Sequence, residues 1–366
     1  MAWVAIADHT DAQFDAQGLG PDGARPNAIF QPLPPDLLVP KGSIIIETGL
    51  TPQRRPQPLL TFQQSISGPL QISLQAIPGG GLTLVIANGD DLQHCAISYA
   101  ETGRTDLLRV TYTWDAPART GLIAVERTGM SAVTLFPVKA PKPILMRDLR
   151  ALCLGDGKRH MSEDVVYFAA ATHRARVGPS PTLTLNTPIA TPRGYTAAGR
   201  LKRGDTVLTA AGQIVPVLHR VNVTVPARGL HKPVILRAPY FGLQQNIVVA
   251  PDQRLVIRGS EVEYLFGHEA VLVPARHLGG ASATKAPYRS GTIQYCQLLL
   301  PGHEALDAAG TAAESLYVGR IRRKPRLLAA SHLADLEQAF LPDHGKALYP
   351  VLRAYDAQVL ADYRAA

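Results

Sequence analysis

Short hydrophobic segments separated by turn signals fill the first part of the chain after residue 42. Over residues 108–114 apolar side chains alternate with polar ones, which places the apolar set on one face of a strand. Glycine- and proline-rich turns separate the segments, for example at 78–81 and 102–104. Eight strands at this spacing predict a β-sandwich. Their expected ranges are 43–47, 59–64, 70–76, 82–86, 94–99, 107–114, 121–127 and 132–136.

The segments around this β region carry a different pattern. Residues 1 to about 30 are polar and rich in glycine, which predicts a poorly ordered segment or a single edge strand. The prolines of 137–143 break the β pattern and predict a linker. A short helix is expected over 145–152. Ser162, followed by two acidic residues, is typical of the N-cap of a second helix reaching about Thr172.

A second β-rich region begins at Thr182, and the pattern changes again near Arg326. The tail predicts two amphipathic helices packed on a domain. Their apolar faces are expected to carry Leu333, Leu336 and Phe340 in one helix and Val351, Tyr355 and Val359 in the other. The predicted fold class is mainly β. The expected domains are a lectin-like sandwich over 1–140, a linker with short helices over 141–178, an all-β domain over 179–325 and a helical tail over 326–366.

The most informative stretch is residues 182–209, TLTLNTPIATPRGYTAAGRLKRGDTVLT. A short apolar strand leads into a turn, and the segment LKRGDTVLT follows a polar stretch. This pattern resembles the opening of the Hint (hedgehog/intein) domain, with matches at Thr187, Ile189, Thr191 and Gly194. Four later segments resemble conserved blocks of bacterial Hint domains, namely residues 265–267, 271–278, 295–304 and 314–317. The resemblance covers about 182–319 and implies the Hint fold.

The same resemblance implies where the chemistry would lie. In the family, a cysteine or serine attacks the carbonyl before it, and a Thr/Ser-x-x-His motif activates that peptide bond. Thr182 stands at the nucleophile position, and Ala250 and Gln253 stand at the positions of the threonine and histidine. Gln297 stands where the family often has another histidine, while His303 remains. Alanine has no donor and glutamine transfers no proton near neutral pH, so a degenerate active site is expected.

The first β region resembles a concanavalin-like sandwich of the lectin or laminin-G type. The segment LRVTYTWDAP at 108–117, leading into GLIAVER at 121–127, carries this resemblance. It implies a carbohydrate or a cell-surface polymer as partner. The sequence Asn-Gly-Asp-Asp at 88–91 offers oxygen ligands for Ca²⁺, but it is more typical of a hairpin turn.

The charge and the cysteine content of the chain limit the kinds of ligand and metal site that can be expected. The net charge of +8 permits weak attraction to polyanions. The densest basic run, 320–326, has no interleaved aromatic residue, so no specific nucleic-acid site is expected. Cys95, Cys153 and Cys296 lack metal-ligand spacing and predict free thiols, with Cys296 buried. No metal, phosphate-binding or GxSxG signature occurs, so no cofactor is expected.

The sequence gives little indication of the cellular compartment. No stretch approaches 18 apolar residues, and the first residues lack the basic and apolar regions of a secretory signal. The cytoplasm is the default expectation, and a leaderless export route stays open. The sequence does not indicate an oligomeric state.

Three functional hypotheses follow from these patterns. The first is a non-catalytic Hint-type module, structural or binding, fused to a lectin-like domain. The second is slow autocatalytic cleavage before Thr182 by an N–O acyl shift, which would make the protein a self-processing enzyme. The third is carbohydrate binding through the N-terminal sandwich.

Overall fold

The computed structural model describes residues 2–20, 34, 36–50, 55–63, 70–98, 106–128, 133–156, 158–286, 291–345 and 347–365. Two compact units divide the chain, namely Met1–Gly178 with Arg289–Thr292, and Pro179–Tyr288 with Ile293–Ala366. The predicted turn at 102–104 lies outside the described residues, as do Gln64, Tyr99 and Ala132 at the ends of predicted strands.

The first unit is built from antiparallel strands and one described helix. The strands are β1 (Trp3–Ala7), β2 (Ala12–Phe14), β3 (Leu38–Val39), β4 (Lys41–Leu50), β5 (Gln57–Gln63), β6 (Leu70–Ile77), β7 (Gly81–Asn88), β8 (Asp91–Ser98), β9 (Asp106–Asp115), β10 (Thr120–Arg127), β11 (Val133–Lys139), β12 (Ile144–Leu145), β13 (Lys158–Met161) and β14 (Val165–Ala171). The helix is α1 (Met146–Leu154). One sheet has the order β11-β10-β9-β4-β14-β1-β2 and the other β13-β5-β6-β7-β8, and β3 pairs with β12.

The two larger sheets face each other across a shared apolar core. Ile44 and Val110 of the first sheet line one small cavity together with Ile72 and Leu84 of the second. Along β6 the residues Leu70, Ile72 and Leu74 are buried, and the residues between them are exposed or half-buried, as in a strand with one face on the core. The β-sandwich is therefore confirmed, and all eight predicted strands occur, as β4 to β11.

Gly42 and Trp114 lie in close contact on neighbouring strands of the larger sheet. Gly42 of β4 pairs with Trp114 of β9. A Cβ at position 42 would lie 2.4 Å from the Trp114 ring and 2.6 Å from the carbonyl oxygen of Ala171. Trp114 is fully buried, and its Nε1 donates to the Val39 carbonyl at 2.8 Å. Glycine is therefore required here for the close approach of the indole.

The prediction of a linker over 141–178 is wrong beyond the helix α1. Strand β13 extends the five-stranded sheet, and β14 lies between β4 and β1 in the larger sheet. The helix expected after Ser162 is strand β14 instead. All of its residues except Val166 are buried, on both faces of the strand, so its sequence is a continuous apolar run without the alternation of a half-exposed strand.

The prediction for the first 30 residues is wrong for β1. This strand is fully buried and pairs with β14 on one side and β2 on the other, so it is an internal strand. Trp3, Ile6 and Leu19 pack with Tyr167 in a satellite cluster. Residues 21–30 lie outside the described residues.

The second unit contains two six-stranded sheets, a two-stranded pair and three described α-helices. Its strands are β15 (Leu183–Thr184), β16 (Pro188–Thr191), β17 (Gly194–Ala197), β18 (Thr206–Leu208), β19 (Ile214–Pro216), β20 (His219–Pro226), β21 (Val234–Leu236), β22 (Ile247–Val249), β23 (Arg254–Arg258), β24 (Ala270–Pro274), β25 (Ala283–Lys285), β26 (Thr292–Leu299), β27 (Ala305–Ala308) and β28 (Thr311–Glu314). The helices are α2 (Ser260–Phe266), α3 (Pro325–Ala330) and α4 (Ala354–Ala365). Short 3-10 helices span Ala198–Arg200, Gly229–His231, Tyr240–Gly242, Ala275–His277, Ile321–Arg323 and Gln338–Phe340. The sheet orders are β20-β26-β15-β22-β21-β25 and β17-β16-β27-β28-β23-β24, and β18 pairs with β19.

The tail after Arg326 departs from the two predicted helices. The helix expected through Leu333 and Phe340 is wrong, because α3 stops at Ala330. The Ser331 hydroxyl accepts the Leu333 N–H, which gives the chain a turn in place of a further helical turn.

The second predicted helix is present as α4, but its core face is different. Ala357 and Leu360 are buried in the core of the second unit, whereas Tyr355 is 79% exposed. Val351 precedes the helix and forms a parallel bridge with Leu272 of β24. The tail is thus part of the second unit.

Candidate functional site

Strand β15 places Thr182 between two neighbouring strands. The next residue, Leu183, pairs with β22 on one side and with β26 on the other. In antiparallel pairing this register puts Thr182 opposite Ala250 and Gln297. The Ala250 N–H donates to the Thr182 carbonyl oxygen at 2.7 Å, in agreement with that register. Sheet pairing therefore brings together three predicted site residues that are far apart in the sequence.

The fourth predicted residue, Gln253, contacts Thr182 directly. The Thr182 hydroxyl donates to Gln253 Oε1 at 2.7 Å. Gln253 follows a tight turn after β22, in which its N–H donates to the Ala250 carbonyl at 3.0 Å. Its side chain is buried, whereas Thr182 is only partly buried. An amide oxygen accepts hydrogen bonds but does not act as a base near neutral pH, so the contact orients the hydroxyl without activating it.

The orientation of the Gln253 amide is fixed by two main-chain carbonyls. Its Nε2 donates to the carbonyl of Arg254 at 2.8 Å and to that of Glu314 at 3.2 Å. Because these partners only accept, the nitrogen must face them and Oε1 must face Thr182. The turn itself is held by an ion pair between Asp252 and Arg276.

Gln297 completes a buried group of amides. Its Nε2 donates to the Glu314 carbonyl at 2.7 Å and to Gln253 Oε1 at 3.3 Å. Its own Oε1 has no hydrogen-bond partner among the described residues. We call Thr182, Gln253, Gln297 and the Glu314 carbonyl the amide cluster. Every side-chain nitrogen in this cluster belongs to an amide, so the cluster contains no imidazole.

Ala250 adds only a methyl group to this region. It is buried in a small apolar cluster with Val225, Ala227 and Tyr295. The hydroxyl that the resemblance implies at this position is absent, so no side-chain donor faces the peptide bond from here.

His303 lies beyond the amide cluster, on the carboxylate side of Glu314. Its Nε2 is 3.1 Å from Glu314 Oε1, and the same oxygen is 3.1 Å from an Arg254 guanidinium nitrogen. Its Nδ1 accepts the Leu348 N–H at 2.9 Å. The structure thus joins His303 to the cluster through Glu314 and places it in contact with the C-terminal segment.

Two residues of this arrangement were not predicted as site residues. Glu314 supplies its carbonyl to the amide cluster and its carboxylate to His303, and Arg254 pairs with that carboxylate. The sequence contains one signal for Glu314: it is a lone carboxylate at the end of the apolar stretch TAAE, and a buried carboxylate requires a charged or hydrogen-bonding partner.

The three cysteines are free, as predicted, and Cys153 and Cys296 are buried. Burial raises the pKa of Cys296 to about 12 and that of Cys153 to about 11. Cys296 lies beside Leu183 in the sheet, but a thiol with such a pKa is protonated near neutral pH and is a poor nucleophile.

The sequence Asn-Gly-Asp-Asp at 88–91 forms a turn in the structure. Asn88 and Asp91 face each other across the β7–β8 hairpin, so this sequence forms the turn that it favours. No group of three or more His, Cys, Asp or Glu side chains in the described part of the chain is placed to hold a metal ion. Among the helices of that part, none combines the length and the apolar character needed to cross a membrane.

Comparison with known proteins identifies the second β region. A family model described as the Hint domain matches residues 181–320. No curated protein matches the chain.

Solved structures resemble parts of the chain only distantly. The MchDnaB-1 intein is 16% identical, with 36% of this chain and 98% of that chain covered and a TM-score of 0.26. The Msm DnaB1 intein splicing domain bound with zinc is 15% identical, with coverage of 36% and 98% and a TM-score of 0.26. The Ruminococcus gnavus IT-sialidase CBM40 is 15% identical, with 36% of this chain and 63% of that chain covered and a TM-score of 0.24. Likenesses at these scores carry no argument about function.

Proposed function

Because residues 181–320 form a Hint domain, we propose that this domain does not cleave its own chain and serves as a structural or binding module. The observation that carries the proposal is the 2.7 Å hydrogen bond from the Thr182 hydroxyl to Gln253 Oε1. The hydroxyl at the nucleophile position faces an amide in place of a base.

Self-cleavage at this position would need two proton transfers. Attack on the Pro181 carbonyl requires removal of the Thr182 hydroxyl proton, and expulsion of the Thr182 nitrogen requires a proton donor. General acid–base catalysis contributes about 10²- to 10⁴-fold for each such group. Gln253 and Gln297 perform neither transfer near neutral pH, so an acyl shift would be slower by roughly 10⁴-fold or more.

Activation of the peptide bond is also weakened. Ala250 provides no hydroxyl to donate to the bond, and a threonine hydroxyl is a weaker nucleophile than a thiolate. The Gln253 amide is held by two carbonyl acceptors, so reorienting it would leave buried polar groups unpaired. These features favour a stable, uncleaved chain.

Intact-mass analysis of the freshly purified full-length protein tests the proposal, before and after incubation with hydroxylamine or a thiol. A single stable species near 39.3 kDa is the expected result. Two fragments that meet between Pro181 and Thr182 would contradict it. In that case Thr182→Ala decides the mechanism: loss of the fragments would establish slow self-cleavage with Thr182 as the nucleophile.

A groove on the sandwich favours a second candidate function, the binding of a carbohydrate. The outer face of the five-stranded sheet carries a shallow groove of about 300 Å³. Its lining includes the uncharged polar side chains of Thr61, Gln63, Gln71 and Ser73, beside Leu92. Amides and hydroxyls around a small apolar surface suit a ligand rich in hydroxyl groups.

Binding of the full-length protein to a glycan panel, with and without Ca²⁺, tests this candidate. The double variant Gln71→Ala/Ser73→Ala removes two polar groups of the groove, and Thr83→Ala, on the same sheet outside the groove, is the matched control. Binding that is lost in the first variant and kept in the second supports the candidate. Binding that is unchanged in the groove variant, or no binding to any glycan, counts against it.

A further inference from the structure

Two buried histidines hold the C-terminal segment of the second unit through main-chain hydrogen bonds. The first, His344, accepts the Val318 N–H at Nδ1, at 3.3 Å, and contacts the Leu300 carbonyl with Nε2 at 3.1 Å. A carbonyl only accepts, so Nε2 carries the proton and Nδ1 is bare. The folded arrangement therefore requires His344 to be neutral.

His303 has the same tautomer. Its Nδ1 accepts the Leu348 N–H at 2.9 Å, so the ring proton is on Nε2, which faces Glu314 Oε1 at 3.1 Å. The two rings stack on each other, with centroids 5.9 Å apart. Both side chains are 3% exposed, so water reaches neither ring.

Protonation is incompatible with these contacts. A proton added at Nδ1 of either ring would point at a main-chain N–H, which replaces a hydrogen bond with two opposed donors. Two imidazolium ions at this spacing would also repel each other in a poorly solvated site.

We propose that His303 and His344 form a pH-sensitive clamp, which holds residues 341–345 and 347–352 on the second unit at neutral pH and releases them on acidification. The charged and titratable groups that face the clamp are Glu314 from β28, Arg254 from β23, Tyr317 and Asp343.

The direction of the pH dependence follows from linkage. Burial holds the pKa of His344 below its ordinary value of 6.5, and the neighbouring His303 lowers it further. The clamped state thus binds fewer protons than the released state, so it is favoured above pH 6.5 and weakens as the pH falls through that value. Uptake of one proton by His344 on release weakens the clamp by about tenfold per pH unit.

Release would uncover a defined surface. The Leu272 N–H donates to the Pro350 carbonyl at 2.8 Å, and the Leu352 N–H donates to the Leu272 carbonyl at 2.9 Å. These bonds cover the outer edge of β24, and Leu348 and Val351 pack on its apolar face. Opening would therefore expose a strand edge and an apolar patch together.

Hydrogen exchange measured by mass spectrometry on the full chain tests the clamp. Protection factors of residues 341–352 are compared at pH 7.5 and 5.0 with those of β21, a reference strand in the same unit. We expect protection of the clamped segment to fall at least about tenfold at pH 5.0 relative to β21. Unchanged relative protection at pH 5.0 would overturn the proposal.

Two variants separate titration from packing. In His303→Asn/His344→Asn each amide oxygen can accept the same main-chain N–H and does not titrate, so protection should be alike at both pH values. His268→Asn, at an exposed histidine, should behave as the unmodified protein. A double variant that opens at pH 5.0 like the unmodified protein would overturn the proposal.

If the double variant does not fold, an NMR titration of the histidines in the unmodified protein replaces it. Loss of protection that coincides with protonation of His344 is expected. Protonation of both rings without loss of protection would overturn the clamp.

Discussion

Gln253 and Glu314 are joined by a hydrogen bond in which the buried amide nitrogen donates to the main-chain carbonyl at 3.2 Å. A second bond from the same nitrogen to the Arg254 carbonyl fixes the amide, so its oxygen meets the Thr182 hydroxyl. The contact geometry of a nucleophile and its partner is thus present without a titratable group. On the proposal that this domain does not cleave its own chain, side-chain chemistry, more than main-chain position, accounts for the lack of proton transfer.

This view predicts that two substitutions restore a detectable acyl shift. In Thr182→Cys/Gln253→His a thiol replaces the hydroxyl and an imidazole replaces the amide that it contacts. We expect hydroxylamine to release two fragments that meet between Pro181 and position 182, because a thiol is the better nucleophile and the imidazole transfers protons near neutral pH. Intact-mass analysis over time gives the rate.

The matched control is Thr182→Cys with Gln253 unchanged. It should cleave at least about a hundredfold more slowly than the double variant, since it lacks the proton-transfer group. Equal rates in the two variants would mean that Gln253 is not what limits the reaction.

A second prediction concerns the structural role of the same glutamine. Gln253→Ala removes the partner of the Thr182 hydroxyl and one of the two donors to the Glu314 carbonyl, and it leaves a cavity in a buried site. The free energy of unfolding should fall by about 3 kcal/mol in denaturant titration. Gln245→Ala, at an exposed position, should change it by less than about 0.5 kcal/mol. A similar small effect at both positions would show that the amide cluster does not stabilise the domain.

The third prediction concerns the order in which the thiols react. Burial raises the pKa of Cys296 to about 12 from an ordinary 9.0, so at pH 8 its thiolate fraction is lower by roughly a thousandfold. Cys95 is partly exposed, whereas Cys153 and Cys296 are buried. Alkylation of the native protein should therefore modify Cys95 first, and full alkylation should require denaturant. Early modification of Cys296, located by peptide mapping, would contradict the burial of β26.

The sequence predicted the parts of this molecule that have a local signature. Strand β6 and the turn at Asn88 depend on neighbouring residues, and both were predicted correctly. Strand β14 was misread as a helix because burial on both faces removes the period-two pattern. The resemblance to the Hint domain implied that Gln253 and Gln297 lie in the same site as Thr182. The contact of the Glu314 carbonyl with both amides depends on the pairing of distant strands, which no local pattern encodes.

The fourth prediction tests the close approach of two strands in the sandwich. Gly42→Ala would place a methyl group 2.4 Å from the Trp114 ring and 2.6 Å from the Ala171 carbonyl, and neither can move freely. The indole is fully buried and tied to the Val39 carbonyl, and Ala171 lies in the buried strand β14. Overpacking of this kind costs about 1–3 kcal/mol, so the denaturant midpoint of the sandwich should fall and near-ultraviolet circular dichroism of the tryptophans should change. Gly20→Ala, where a Cβ meets no atom within 4 Å, is the control and should leave both signals unaltered. An unchanged midpoint in Gly42→Ala would show that β4 and β9 are packed less closely than described.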